Sequence, residues 1–409
     1  MAAVLKHWRE AATLILATSK VSSRSPASLT KSVNKIATDD HKQDINDLPA
    51  GTNDHFEVLM MKRSSKSKFM PNLHVFPGGV ADDSDFSSRW LSVFQKLGKD
   101  VHKTLFSKLT ERSFEASPMF TRQRDPKFSV LPPDVAFRIC AIREAFEESG
   151  VLLARPAGIS KKHVEQLCTG ANDENARVRN TACAYDDSQV IKKWRDRVNQ
   201  EPSQFLEMCL QLDLVPEIWC LHEWSNWLTP IEGMQNRRRF DTVFYVCCID
   251  HKPEVEQDFT ETVNSMWASP SSLLSANFHD QLVLGTPQIY ELARLLHFTS
   301  AQNLLEFLSM PGRARVERWF PVTAVCKDHI VSLMPGDELY PEHPDLVSQL
   351  MLPFDESLED LNNKHPRQHR SYSTFELRMF LPLFTIKPLQ GHVGPKVDAF
   401  KRLLPQSKL

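Results

Sequence analysis

The chain has 409 residues, a formal net charge of −2 and hydrophobic side chains at 41% of its positions. This length suffices for a large core, and the balanced charge argues against a stable nucleic-acid partner. The eight cysteines form no CxxC pair and no zinc-like cluster with histidine, which argues against a disulfide framework and favours a reducing compartment. No apolar run is long enough to span a bilayer.

Two interpretations fit the segment from Met1 to Thr18. It carries Lys6 and Arg9 against one acid, Glu10, as a mitochondrial presequence would, which leaves a minor mitochondrial pool open. Residues 12–17 are also a typical opening β-strand, and we favour the strand because no cleavage signal is clear. Residues 19–53 are polar and predict a loop.

A second strand is predicted at Phe56–Arg63, an apolar run bounded by polar residues. The basic side chains of Arg63, Lys66 and Lys68 lie at the end of this strand and just after it. The glycines of the following Phe76-Pro77-Gly78-Gly79 segment would let backbone approach a metal or phosphate closely.

Two further regions keep helical periodicity. In residues 86–131 the apolar positions recur at helical spacing, so we expect helices there rather than a disordered segment. Residues 158–216 are a second insertion-like region, with helices expected near Ser188–Gln200 and Ser203–Gln211.

Between these regions lies the most informative segment of the chain, a helix predicted at Pro133–Ser149. Pro133 suits a first helical turn and Gly150 a helix end. Apolar residues form one stripe, and the opposite face carries three acids and an arginine: Arg143, Glu144, Glu147 and Glu148.

The three acids allow two interpretations. Acidic residues opposite an apolar stripe are usually a solvated surface. Carboxylates spaced i, i+3 and i+4 also repel one another, and a divalent cation held by oxygen ligands would remove that repulsion.

Strands are expected again over Trp224–Asp250. The Arg237-Arg238-Arg239 run before the second of them is either a solvated edge or a phosphate clamp that includes Arg239. Glu261 lies shortly before Trp267, at the spacing i, i+6, and by residue type alone it is an ordinary loop residue that caps or faces water.

The remaining residues carry no motif of their own chemistry. Helices are expected at Pro287–Phe298 and Ala301–Met310, followed by a strand-like stretch at Phe320–Pro335. This region should pack on the preceding domain and shape its pocket. The chain ends in Ser407-Lys408-Leu409, which predicts a peroxisomal location and recognition by a peroxisomal import receptor.

The residues from Arg143 to Val151 fit the pattern R-E-apolar-x-E-E-x-G-apolar and resemble the second half of the Nudix box. Its first half resembles the segment from Gly79 to Asp85, where most members have Glu instead of Asp85. Positions 86–142 separate the two halves, a far longer spacer than the x7 of the usual box. Such a split box is similar to that of the peroxisomal Nudix coenzyme A diphosphatases, and the shorter side chain leaves the role of Asp85 open.

A second signature of coenzyme A-cleaving Nudix enzymes also has counterparts here. Arg63, Ser64 and the Phe76–Gly79 segment match it, whereas Lys68 replaces an arginine and Asn72 replaces a glycine. Asn tolerates positive φ better than most residues.

The resemblance implies an α/β fold, an α/β/α sandwich around a mixed sheet. The Nudix domain would span residues 1–275, with the loop at 19–53, an insertion at 86–131 inside the box and a helical insertion at 158–216. Residues 276–409 would form an α+β extension. The position of the 86–131 insertion suggests a wall or cap over the substrate, and we expect a monomer.

The resemblance also implies the roles of the site residues. Glu144 and Glu148, with Glu147 alongside, would hold Mg²⁺ or Mn²⁺. One of these acids, or Glu261, would orient the nucleophilic water, and Arg143 would pair with an acid. Substrate contacts are expected from Arg63, Lys68, Gly78, Gly79 and Arg239.

The predicted reaction is the splitting of coenzyme A or acyl-CoA into 3′,5′-ADP and 4′-phosphopantetheine or its acyl form. Two alternatives remain open: a Nudix pyrophosphatase that acts on NADH or capped RNA ends, and a non-catalytic Nudix-fold binding module.

Overall fold

The structure, a computed structural model, describes most of the chain. The described residues are 8–19, 54–66, 71–98, 100–110, 117–158, 181–182, 188–230, 239–253, 255, 262–310, 316, 318–344, 351–374, 381–387 and 392–404. Within these ranges no helix is long and apolar enough to cross a membrane. The cysteines described there are all free and buried.

The strands and helices follow in chain order. The strands are β1 (Trp8–Ser19), β2 (Phe56–Arg63), β3 (His74–Val75), β4 (Gly78–Val80), β5 (Ala154–Pro156), β6 (Thr181–Ala182), β7 (Leu214–Pro216), β8 (His222–Leu228), β9 (Arg239–Ile249), β10 (Thr262–Ala268), β11 (Arg318–Trp319), β12 (Val322–Val325), β13 (His329–Leu333), β14 (Leu352–Pro353), β15 (His369–Thr374) and β16 (Leu381–Phe384). The helices are α1 (Trp90–Gln95), α2 (Val101–Thr110), α3 (Pro133–Ser149), α4 (Ser188–Gln200), α5 (Gln204–Gln211), α6 (Pro270–Phe278), α7 (Thr286–Leu295), α8 (Ala301–Leu308), α9 (Leu358–Lys364) and α10 (Val397–Lys401).

β1 is the central strand of a mixed sheet ordered β10-β2-β1-β9-β8-β11. It runs parallel to β9 from the Trp8–Arg239 pair to the Thr18–Ile249 pair. On its other side it pairs antiparallel with β2 and, at residues 11–13, with β4. The strand predicted at residues 12–17 is confirmed as part of β1, and its side chains are buried on both faces of the sheet.

Both faces of this sheet are covered by helices. Leu14 and Leu16 pack on one face against α3, the insertion and α5, while Ile15 and Ala17 pack on the other against α6, α7 and α8. This alternation follows from the two-residue period of a strand. The predicted α/β/α sandwich around a mixed sheet is therefore confirmed.

The insertion at 86–131 is helical in its described part, as predicted. α1 and α2 are followed by short 3₁₀ turns at Pro118–Thr121 and Pro126–Phe128. Trp90 is 1% exposed, and its ring lies 5.7 Å from that of Phe205 in α5. The two helices predicted in the second insertion region are present as α4 and α5.

The C-terminal region contributes a second sheet, ordered β14-β12-β13-β15-β16. Val331 and Leu333 of β13 pack with Leu361 of α9 in a small separate core. The region also joins the main sheet, because β11 pairs parallel with β8 and Phe400 of α10 lies in the core of that sheet. The boundary that the sequence placed between the Nudix domain and the C-terminal extension, at 275/276, falls inside α6.

Candidate active site

A cavity of about 1080 Å³ lies beside β4 and extends to the C-terminal sheet. Alternate residues of β1 and β9 line it, because their side chains point to the same face of the sheet. These residues are Arg9, Ala11, Thr13, Phe240, Thr242 and Phe244. The acidic side chains of α3 line the same cavity.

Helix α3 has the bounds predicted from the sequence. Pro133 is its first residue, and the N–H of Gly150 donates to Phe146 O at the end, with Gly150 at φ 76° in the left-handed region. The helix is buried on nearly all sides, and Glu148 is only 3% exposed. The three acids therefore do not form the solvent-exposed surface that was the first of their two interpretations.

Two glycines of β4 determine how closely these acids approach the strand. The Gly78 N–H donates to Glu148 Oε2 at 3.0 Å. A Cβ atom at Gly79 would lie 2.3 Å from Glu144 Oε2, so the Glu144 carboxylate occupies the space that a side chain would fill. Two glutamate carboxylates therefore approach these glycines closely, and the predicted approach of a metal or phosphate stays a prediction.

Arg143 pairs with an acid, as predicted, and that acid is Asp85. Its Nε and Nη2 atoms donate to the two Asp85 oxygens at 2.9 Å each, and both side chains are 1% exposed. Arg143 Nη1 also donates to Glu144 at 2.9 Å and Glu147 at 2.7 Å. One guanidinium thus holds three of the box acids.

Asp85 reaches Arg143 although its side chain is shorter than the usual glutamate. It belongs to a 3₁₀ turn, Asp83–Phe86, capped by Asp82. The Asp85 carboxylate accepts the Asp82 N–H at 2.9 Å, which fixes the turn against α3. The long segment between the two halves of the box therefore leaves the pair intact.

Basic side chains line the cavity near this acidic group. Arg63 ends β2, Lys66 follows it, and Arg239 begins β9 with its guanidinium 5.7 Å from the centre of the Trp8 ring. Asn72 adopts φ 63°, the left-handed conformation for which the signature has glycine. Lys68, Glu261, Arg237, Arg238 and the terminal residues 407–409 lie outside the described residues.

The sequence model described as the NUDT19 Nudix domain matches residues 8–295, and that of the NUDT19 C-terminal domain matches residues 323–374. The chain belongs to the Nudix hydrolase family. It is 38% identical to a Xenopus laevis protein named acyl-coenzyme A diphosphatase NUDT19, over 96% of each chain. The human protein of that name is 36% identical, over 85% of this chain and 88% of its own. A solved NUDIX hydrolase from Alicyclobacillus acidocaldarius is 20% identical over 73% of this chain and 96% of its own, with a TM-score of 0.38.

The Nudix acids have the chemistry that a hard divalent cation prefers, since their donors are carboxylate oxygens. Burial raises the pKa of Glu144 to about 8, outweighing the attraction of Arg143, and a bound cation would favour the ionised form instead. No three acids, histidines or cysteines in the described ranges are already arranged to hold an ion. Glu144 and Glu147 instead accept hydrogen bonds from Arg143.

Arg9 lines the cavity and is a candidate site residue that sequence reasoning missed. It lies exposed in the cavity on the same strand as Ala11, but the sequence presented it only as one of two basic residues near the N-terminus. The alternation of β1, with Arg9, Ala11 and Thr13 on one face, was the signal that could have found it.

The insertion at 86–131 and the C-terminal region contribute differently to the cavity. None of the described residues of the insertion lines it, so the wall or cap predicted from its position is wrong for that part. The insertion helices pack on the α3 side of the sheet instead. The C-terminal region does line the cavity, through Pro321, Thr323, Ile330, Val331 and Ser332, as the sequence predicted.

Proposed function

We propose that the chain hydrolyses the diphosphate of coenzyme A and acyl-CoA to 3′,5′-ADP and 4′-phosphopantetheine or its acyl form, with Mg²⁺ or Mn²⁺. The approach of Glu144 and Glu148 to Gly78 and Gly79 inside the cavity carries this proposal, together with Glu147, which Arg143 holds. Relatives named for this activity match up to 96% of the chain. The three glutamates disfavour a non-catalytic module.

The residues divide the work by chemistry. Glu144, Glu147 and Glu148 would hold the cation, which when bound neutralises phosphate oxygens and makes water a better nucleophile. Arg143 orients Glu144 and Glu147 by hydrogen bonds, and the Gly78 N–H orients Glu148. Arg63, Lys66 and Arg9 supply positive charge for the substrate phosphates.

The proposal includes a cellular location and an oligomeric state. The terminal Ser407-Lys408-Leu409 supports import into peroxisomes through a receptor that reads this triplet. Deletion of this triplet should abolish peroxisomal import of a tagged chain, and retained import would contradict this part. A monomeric mass in light scattering would support the expected monomer.

Product analysis tests the reaction. We expect purified protein with coenzyme A and Mg²⁺ to release 3′,5′-ADP, and Glu148→Gln to lower turnover at least about 100-fold without changing the melting temperature. Glu359→Gln, at an exposed acid in α9, is the matched control and should be fully active. Turnover of NADH or ADP-ribose without 3′,5′-ADP would assign a different Nudix activity, and an active Glu148→Gln protein would contradict the metal assignment.

A further inference from the structure

The C-terminal hairpin of β12 and β13 presents two different faces. Val322, Ala324 and Leu333 pack into the core of the C-terminal sheet. Thr323, Ile330 and Ser332 line the cavity instead, and Thr323 pairs directly with Ser332 across the hairpin. This hairpin is thus both a part of the second sheet and a wall of the site.

The cavity differs in charge from one end to the other. Among the described residues beyond β11, those that line the cavity are uncharged, whereas Arg63 and Lys66 come from β2 and the turn after it. Arg9 and Arg239 lie between, on β1 and β9. Since each strand-to-strand step is about 4.8 Å, the four steps from β4 to β11 place β11, from which the chain continues into the hairpin, roughly 19 Å from the glycines.

An aromatic side chain on β8 lies at the uncharged end and is held firmly. Trp227 lines the cavity, and its Nε1 atom donates to Glu291 Oε1 at 2.7 Å. Tyr290 packs edge-on against the Trp227 ring with centroids 5.4 Å apart. The apolar surface beside the hairpin is therefore fixed before any ligand enters.

The two arms of the proposed substrate differ in charge in the same way as the two ends of the cavity. The nucleotide arm carries a 3′-phosphate and requires cations, whereas an acyl chain requires apolar surface. We propose that the cavity face of this hairpin receives the acyl end of acyl-CoA, with Ile330 as its apolar contact beside Thr323 and Ser332, and sets the affinity for acylated substrates. This inference rests on the proposed function and assigns the C-terminal sheet a role in substrate selection.

Binding measured in EDTA tests the inference separately from hydrolysis. Isothermal titration calorimetry with coenzyme A and octanoyl-CoA gives the affinity contributed by the acyl chain. We expect octanoyl-CoA to bind the wild-type chain at least about tenfold more tightly, because methylenes leave water. Ile330→Ser should reduce this advantage below about threefold and change the Kd of coenzyme A less than about twofold.

Met351→Ser is the matched control. Met351 is an exposed apolar residue beside β14 of the same sheet and does not line the cavity, so this variant should keep the octanoyl advantage. Ile330→Trp is a second test variant that fills the space, and it should weaken octanoyl-CoA binding more than coenzyme A binding. Circular dichroism and melting temperature identify any variant that is not folded.

Three results would overturn the inference. The first is equal affinity of the wild-type chain for the two ligands. The second is an octanoyl advantage that persists in both Ile330 variants. The third is an equal loss of affinity for both ligands in folded variants. Binding without product formation after Mg²⁺ is added would instead refute the proposed reaction, while the inference that the hairpin receives the acyl chain would remain supported.

Discussion

At the scale of single residues, the site depends on two positions without side chains. Gly79 leaves the space that the Glu144 carboxylate fills, and the backbone of Gly78 donates to Glu148. The sequence could predict that these glycines and glutamates belong together, because both patterns are local and have fixed spacing. It could not predict Arg9, because one arginine among alternating residues carries no motif.

Gly79→Ala tests the space requirement. The added methyl group would overlap Glu144, so the carboxylate must move, and a displacement of about 1 Å at a reacting site costs about 100-fold in rate. We expect a loss of that order in the rate of diphosphate hydrolysis with only a small loss of stability, because the overlapping atoms are the end of a flexible side chain. Gly158→Ala is the control, since no atom lies within 4 Å of its Cβ position. Equal rates in both variants would show that Glu144 needs no such space.

At the scale of elements, one ion pair joins the two halves of the split box. The 3₁₀ turn at Asp83–Phe86 and helix α3 are linked by the Asp85–Arg143 pair. The ends of α3 were predictable because Pro133 and Gly150 mark them locally. The partner of Arg143 was not predictable, because the long segment between Asp85 and Arg143 leaves their spatial separation undetermined by the sequence.

Asp85→Asn should destabilise the protein. The change removes the bidentate anionic partner of the buried Arg143 guanidinium but leaves its pairs with Glu144 and Glu147, so we expect a loss of about 1–3 kcal/mol. Urea unfolding followed by circular dichroism measures this loss. Asp83→Asn in the same turn breaks only the solvent-exposed pair with Lys127 and should cost less than about 1 kcal/mol. Similar losses in the two variants would refute a structural role for the buried pair.

The insertion shows a limit of periodicity at this scale. The spacing of Trp90, Phe94 and Leu97 predicted a helix with a buried face, and these residues are buried. Periodicity does not reveal which surface covers that face. The expectation that the insertion forms a wall or cap over the substrate was inferred only from its position in the sequence. Packing against Phe205, which lies far along the chain, could not be predicted from local pattern.

At the scale of the whole molecule, the C-terminal sheet is built into the main body. His369 of β15 contacts α7, because its Nε2 atom lies 2.7 Å from the Tyr290 hydroxyl. Its Nδ1 atom lies 2.7 Å from Pro335 O, and its ring packs edge-on against Trp319 of β11. The sequence gives no indication of these partners, because they come together only once the two sheets are in place.

The buried position of His369 makes the stability of this joint depend on pH. Burial lowers the pKa of His369 from 6.5 to about 4, against weaker opposing effects of Pro335 O and the Asp337 carboxylate, while Arg294 lowers it further. The unfolded chain therefore binds a proton below about pH 6.5 that the folded chain refuses until about pH 4. Stability from this residue is complete above about pH 6.5 and is lost as the pH falls toward about 4, in total on the order of 3 kcal/mol.

His369→Gln isolates this contribution from those of other titrating groups, such as His74, whose pKa burial also lowers to about 4. We expect the variant to be less stable than wild type at about pH 7.5, because it loses the imidazole between Tyr290 and Pro335. The gap in free energy of unfolding should narrow by about 3 kcal/mol as the pH falls to about 4, since only the wild-type chain loses the histidine contribution. Urea titrations across this pH range measure the gap, and His343→Gln, at an exposed position, should track wild type throughout. A gap that stays constant with pH would show that His369 is not held neutral at the joint between the two sheets.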